Sequence, residues 1–320
     1  MDGRVAPQTL FNAEEREEIP KAERILRGTV STRLWKLLDL PTIGARFGFL
    51  TKPKKQHILT DYNVKGGILK STTCLNLGRT LALNGIKTIL IGLDAQQSLT
   101  DIALPLPENM TLDQAIEERL GLYHLLVDGF NLSQVVKSTD LPTLDVIPET
   151  QELIALERHM KEGNRYEYFL KDNLIPLLKD YEVIIFDNGP NWTPLVENAL
   201  VASTSVISPM ACDFGSYQAI KVNLQTIGEF ASVMKLNWDA HILIPTLVDK
   251  TKLSQQIYGA YQIQYKDQVL PCSIRRAVVG QEASVKKLSV IESSPSSPLA
   301  QDYFEVITAI WKRIETGHGT

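Results

Sequence analysis

From about residue 57 onward, apolar residues fall in short runs separated by longer amphipathic stretches. His57-Ile-Leu-Thr-Asp-Tyr predicts a strand that ends in a glycine-containing turn at 65–69. Residues 71–84 then predict a helix, with Gly85 as its C-terminal cap because glycine takes left-handed dihedrals without steric penalty. Five more strands are expected at 87–94, 143–147, 181–187, 204–208 and 241–248. Near-continuous Val/Ile/Leu runs mark strands buried on both faces, and helices between them mark parallel crossovers. The fold class that follows is α/β, a doubly wound and mostly parallel sheet flanked by helices. In such sheets ligands sit at the carboxyl ends of the strands, where Asp94 and Asp187 stand and are expected near one another.

The first 55 residues differ. A charged helix is expected at 13–27. A second short helix is expected at 32–40, carrying Leu34, Trp35, Leu37 and Leu38 and stopped by Pro41, with a linker at 52–55. The division is therefore a short helical, basic extension over 1–55 and one α/β domain over 56–320. Residues 1–60 hold 11 Lys/Arg against 7 Asp/Glu, whereas the remainder is acidic and brings the whole to −4. The extension reads either as an arm packed on its own subunit or a dimer mate, or as a small DNA-binding module.

Composition narrows the classes. With 44% apolar and 22% charged residues in 320, wholesale disorder and collagen-like repeats are excluded. No window approaches 18 apolar residues, and the amino terminus lacks the apolar core of a secretory signal. Cys74, Cys212 and Cys272 are far apart and form no CxxC pair, which argues against a disulfide framework or zinc ribbon and fits a reducing cytosol. Cys74 reads as a small core residue. The five histidines show no metal-ligand spacing.

Chemistry concentrates in Asn63-Val-Lys65-Gly66-Gly67-Ile68-Leu69-Lys70-Ser71-Thr72-Thr73. A strand runs into a glycine loop, and Lys-Ser opens a helix. Backbone N–H groups of such a loop, with the positive end of the helix, cradle phosphate oxygens. Lys70 would reach the β- and γ-phosphates and the Ser71 hydroxyl would ligate Mg²⁺. The ordinary G-x-x-x-x-G-K-[ST] pattern is departed from at Val64 and Leu69.

The run K-G-G-x-x-K-[ST] resembles the deviant Walker A box of the ParA/MinD family of partition and positioning ATPases, matching the ParA form N-x-K-G-G-x-G-K-[ST]-T everywhere but Leu69. A side chain there should crowd the loop or shift its dihedrals. Ile89-Leu-Ile-Gly-Leu-Asp94-Ala-Gln-Gln-Ser-Leu-Thr100 resembles the family's second box, D-x-D-P-Q-x-x-x-T, with Asp94 at the second aspartate, Gly92 at the first and Ala95 at the proline. Val183-Ile-Ile-Phe-Asp187-Asn-Gly189-Pro190 looks like its Walker B segment, with Gly189 at the first proline. Residues 121–126 and 144–153 also read like ParA, where the chain covers the nucleotide cleft. The resemblance covers roughly 57–315.

The resemblance implies the following. The activity would be ATP hydrolysis, slow without a partner, with ATP and Mg²⁺ as cofactors. Lys65 would reach across a nucleotide-sandwich homodimer to the partner's phosphates. Lys70 and the amides of Gly66, Gly67, Ile68, Leu69, Ser71 and Thr72 would hold the phosphates. Ser71 and Asp187 would hold Mg²⁺, and Asp94 would position the water. Pro271 and Cys272 would border the adenine. Arg275, Arg276, Lys286 and Lys287 would contact DNA non-specifically, the alternative being a solvated basic loop. A ParB-like adaptor would stimulate hydrolysis, and the protein would be cytoplasmic and nucleoid-associated when ATP-bound. A MinD-type protein would end in a basic amphipathic membrane helix. The last predicted helix, 302–314, carries Phe304, Ile307, Ile310, Trp311 and Ile314 as a core-packing stripe, so no membrane attachment is expected. Two other readings stay open: a nucleotide-gated DNA- or partner-binding protein with little turnover, suggested by Leu69, Gly92 and Gly189, and a MinD-like or protein-cargo positioning ATPase.

Overall fold

Seven strands form one sheet, in the computed structural model that describes residues 5–106 and 110–316. A separate exposed hairpin pairs β1 (Glu23–Arg27) with β2 (Val30–Leu34). The sheet comprises β3 (His57–Asp61), β4 (Thr88–Gly92), β5 (Lys137–Ser138), β6 (Leu144–Ile147), β7 (Val183–Asp187), β8 (Ser205–Ala211) and β9 (Ala240–Thr246). Their order is β5-β6-β4-β7-β3-β8-β9, parallel throughout except that β5 runs antiparallel to β6. All six strands expected from the apolar runs are present. β5 is an addition, too short to register as an apolar run.

Every residue of β3, β4, β7 and β8 is buried, as expected of strands covered on both faces. Side chains alternate between two layers. Leu59, Leu90, Val183 and Ile185 face the helices Lys70–Leu83 and Pro298–Thr316, whereas Ile58, Ile89, Ile184 and Phe186 face the helices Leu153–Lys161 and Pro194–Ala202. Extending the period of two, Asp61, Gly92 and Asp187 all point to the first layer, toward the helix Lys70–Leu83. Ladder pairing sets Asp61 beside Asp187 and Asp187 beside Gly92. Pro209 is tolerated in the interior strand β8 because β3 has ended by then, and Ile207 is the last residue β3 pairs with.

The extension carries helices, but not where the charge pattern placed them. Of 13–27, only the end of the helix Pro7–Glu15 is helical, and Glu23–Arg27 is β1. Buried Glu14 joins the two parts by accepting the Ala22 amide at 2.9 Å and Arg33 Nε at 2.6 Å. Of 32–40, the first residues belong to β2. Pro41 lies in the first turn of the helix Leu40–Phe47 rather than stopping one, since proline's missing N–H is harmless there. That helix packs on the carboxyl end of the helix Lys70–Leu83. Gly44 is required by the contact: a Cβ on it would lie 1.7 Å from the Leu83 carbonyl oxygen. The extension thus docks about 20 Å along that helix from its Lys70 end, at 1.5 Å rise per residue. The stripe on the last helix is core, with Ile307, Ile310, Trp311 and Ile314 buried and Phe304 half-buried. Among the described residues no helix is long and apolar enough to cross a membrane.

Candidate functional site

The carboxyl ends of β3, β4 and β7 converge on the amino end of the helix Lys70–Leu83. Buried Asn63 fixes the loop between them: its Nδ2 donates to the Pro209 carbonyl at 2.8 Å, and its Oδ1 accepts the Lys65 amide at 3.1 Å. The Val64 amide donates to Asn223 Oδ1 at 3.3 Å. Thr246 Oγ1 donates to the carbonyl of buried Ile68 at 3.1 Å. Gly66 and Gly67 border open space, and Gly67 has φ +72°.

Leu69 adopts φ 73°, ψ 27°, the left-handed region that glycine would enter freely. The loop therefore keeps a glycine-like backbone at a strain of about 1–2 kcal/mol. The Leu69 side chain is partly buried against the core, which offsets part of that strain.

Lys70 is buried, and its Nζ donates to the Lys65 carbonyl at 2.9 Å. Ser71 and Thr72 follow in the first helical turn, both half-buried. The Lys65 ammonium lies 2.6 Å from Asp213 Oδ1 in the same chain. Asp213 also caps the helix Phe214–Met234, accepting the Ser216 amide at 2.9 Å. Burial pushes the Asp213 carboxyl up, but hydrogen bonds from Lys65 and Ser216 outweigh it and hold it below the usual range.

Beneath the loop, Asp61, Cys74 and Asp187 are fully buried and each brings a ligand atom within 4.8 Å of the others. The Cys74 thiol donates to Asp61 Oδ2 at 3.6 Å, while Asp61 Oδ1 and both Asp187 oxygens have no hydrogen-bond partner. Burial raises Asp61 to about 7, against the Lys70 charge and the Cys74 hydrogen bond. Burial and then the neighbouring Asp61 and Glu149 charges raise Asp187 well above the usual range, with Ser71 and Lys70 pulling the other way. Two adjacent carboxyls in a dry site cannot both ionise without a cation. Unpaired oxygens on hard carboxylate ligands, with the Ser71 hydroxyl alongside, fit a divalent ion such as Mg²⁺.

Asp94 is half-buried just beyond β4, and its Oδ1 accepts the Gln96 amide at 3.0 Å. The Leu93 amide bonds the Asp187 carbonyl at 2.8 Å, and a Cβ on Gly189 would lie 3.0 Å from the Asp94 carboxyl carbon. Lys65, Lys70, Ser71, Asp94 and Asp187 are thus gathered around three neighbouring strand ends.

The other candidates lie elsewhere. The segment with Pro271 and Cys272 runs along the free edge of β9. There Tyr258 Oη donates to the Pro271 carbonyl at 2.9 Å, and burial raises the Cys272 thiol to about 11. Arg275 is held bidentately by Asp302 at 2.6 and 2.7 Å, and Lys287 Nζ donates to the Asp101 carbonyl. Arg276 is largely exposed with a long 4.0 Å approach to Asp249, and Lys286 is exposed. Three residues of the site were not singled out from sequence, although Glu149 lies within the 144–153 stretch. Asp213 and Glu149 come from distant segments. Asp61 did leave a trace, a carboxylate inside an apolar strand. Cys74, read as core, is buried but faces Asp61.

A family model described as an AAA domain matches residues 56–242, more than half of the chain. The sporulation initiation inhibitor protein Soj of Bacillus subtilis is 31% identical over 253 residues, covering 78% of this chain and 96% of that one. Among solved structures, apo McdA of Cyanothece superposes with TM-score 0.67 at 18% identity, over 79% of this chain and 98% of that one. A plasmid partition protein of Borrelia burgdorferi bound to AMPPNP superposes with TM-score 0.63 at 23% identity, over 82% and 100%. The two structures establish the likeness of fold, and the sequence matches establish kinship. Together with the lysine-glycine loop between β3 and its helix, they make this chain a member of the ParA/MinD-type P-loop ATPase family, on its Soj/ParA side.

Proposed function

We propose that the protein is a ParA-like partition ATPase. It would bind Mg·ATP in the 63–71 loop, form a sandwich homodimer, and bind DNA without sequence preference in that state. A ParB-like adaptor would stimulate its slow hydrolysis, and the cycle would position or segregate a plasmid, a chromosome or another cargo. Such a protein works in the cytoplasm, on the nucleoid while ATP-bound. One observation carries the reading: Lys70 and Ser71 open a helix directly above two buried carboxyls, three of whose four oxygens lack hydrogen-bond partners.

Each residue then has a task. The loop amides and Lys70 compensate the phosphate charge, and Ser71 and Asp187 hold Mg²⁺. When bound, that ion would supply further positive charge to stabilise the phosphate oxygens. Asp94 orients the attacking water. Lys65 leaves Asp213 for the partner's phosphates, so its contribution exists only in the dimer and ends with hydrolysis. Pro271 and Cys272 border the adenine. Of the basic residues, Arg276 and Lys286 are the freer to meet phosphates, because Arg275 and Lys287 already hold acceptors in the chain.

The test is phosphate release with DNA and adaptor present. The parental protein should turn over, and Lys65→Ala should fall about a hundredfold, the scale of losing one transition-state charge partner. A Lys65→Ala variant at the parental rate would refute the role across the interface. Leu69, strained at the head of the helix, supports a second reading: a nucleotide-gated binding protein with little turnover. Zero phosphate release from the parental protein, with ATP-dependent DNA binding intact, would favour that reading.

A further inference from the structure

Gly92 ends β4 and stands where the family's second box has its first aspartate. Its neighbourhood is not vacant. A Cβ built on Gly92 would lie 2.2 Å from the carboxyl carbon of Glu149 and 2.6 Å from its Oε1. The volume that a side chain at 92 would need is filled by a carboxyl delivered from just beyond β6, the strand next to β4.

Glu149 is fully buried and the bonds of its carboxyl all run to one short segment. Oε1 accepts the Leu99 amide at 3.1 Å, and Oε2 accepts the Thr100 amide at 2.8 Å together with the Thr100 hydroxyl. The Thr100 hydroxyl oxygen in turn accepts the Glu149 amide at 3.0 Å. Arg119 braces the same segment, donating to Gln97 Oε1 at 2.7 Å and to the Glu149 carbonyl. Gln97 is held at φ 60°, and its amide donates to the Asp94 carbonyl at 2.9 Å. Hydrogen bonds therefore lead from the Glu149 carbonyl through Arg119 and Gln97 to Asp94, while the Glu149 carboxyl holds Leu99 and Thr100 at the far end of the same loop.

We propose that Glu149 is a positioning residue for hydrolysis: from β6 it clamps the 94–100 loop, and so aims Asp94, as a carboxylate at position 92 would do from β4. The proposal rests on the reading of Asp94 given above, since the clamp is useful only if Asp94 has a geometry to keep. Glu149 itself does not touch the nucleotide. The two positions compete for one space, which makes the idea testable as an exchange.

Five proteins are compared: the parent, Glu149→Ala, Glu149→Gln, Gly92→Asp, and Gly92→Asp/Glu149→Ala. Either single change should lower kcat at least tenfold and move KM for ATP less than about threefold, because a misplaced catalytic group can lose up to about a hundredfold in rate without losing binding. The double variant should recover to within about threefold of the parent, a strongly non-additive result. Glu149→Gln, which preserves volume but loses one acceptor, should resemble Glu149→Ala. Equal rates in Glu149→Gln and the parent, or losses that simply add in the double variant, would overturn the clamp and leave Glu149 as packing.

Amide hydrogen exchange at Leu99 and Thr100 gives a second readout that needs no turnover. Protection should be high in the parent, lost in Glu149→Ala and regained in the double variant. Exchange that is unchanged in Glu149→Ala also overturns the clamp. If exchange follows this pattern while no variant hydrolyses ATP, the clamp stands and the catalytic reading of Asp94 is what fails.

Discussion

Replacing Lys70 with alanine should lower ATP hydrolysis by a hundredfold or more, the range seen when a preorganised charge partner of a transition state is removed. Lys70 couples the loop to the buried carboxyls below it. Its Nζ holds the Lys65 carbonyl at 2.9 Å, and its charge pulls Asp61 and Asp187 down against burial. Without it, both carboxyls can take up protons, so the fold should survive while the phosphate site loses its fixed cation. Lys70→Arg should not rescue, because a planar guanidinium cannot replace a compact ammonium in a buried pocket. Steady-state phosphate release with a folding control by circular dichroism checks both variants. Rates within threefold of the parent would remove Lys70 from the site.

The largest effect on stability should come from Arg79, on the same helix. It is fully buried, and its guanidinium is forked between two carboxylates from distant segments. Nε and Nη2 reach Glu292 at 2.6 and 2.8 Å, and Nη1 and Nη2 reach Asp140 at 2.7 and 3.1 Å. Burial alone would push the guanidinium toward neutrality, yet the two carboxylates outweigh it and hold its charge more firmly than usual. Arg79→Leu strands the mostly buried Glu292 and should destabilise by about 3–5 kcal/mol. Chemical denaturation measures this. Removing Glu292 and Asp140 charges as well should return most of the loss, because an unpaired buried charge, rather than a lost contact, is the cause. A loss below about 1 kcal/mol for Arg79→Leu would place this pair among ordinary surface bridges.

Much of the sheet could be read from the chain because strands buried on both faces leave uninterrupted apolar runs, as in Ile89-Leu-Ile and Val183-Ile-Ile-Phe. The hairpin was hidden because Glu23-Arg-Ile-Leu-Arg27 lacks a clean alternation and nothing buries one of its faces, so charge pattern suggested a helix instead. Pro41 has two meanings in sequence, stop and start, and only packing on the helix Lys70–Leu83 selects the second. At the site, Lys65, Lys70, Ser71, Asp94 and Asp187 were visible because each lies in a local strand-turn pattern. Asp213 was not, and Glu149 was visible only as part of the 144–153 stretch without a role of its own, because what brings them in is the order β6-β4-β7-β3-β8, which no local pattern encodes. Gly92 looked like a lost carboxylate from sequence. In space, another strand has filled the place.

The central claim is that Lys65 serves a second subunit once Mg·ATP is bound. Sedimentation of the parent and Lys65→Ala, each with and without a non-hydrolysable ATP analogue and Mg²⁺, addresses it directly. The account predicts a 35.8 kDa monomer that doubles in mass only with nucleotide, and a Lys65→Ala variant that still binds nucleotide but stays monomeric or dimerises far more weakly. A parent that binds the analogue and remains monomeric at every concentration, or a Lys65→Ala variant that dimerises as readily as the parent, would contradict it.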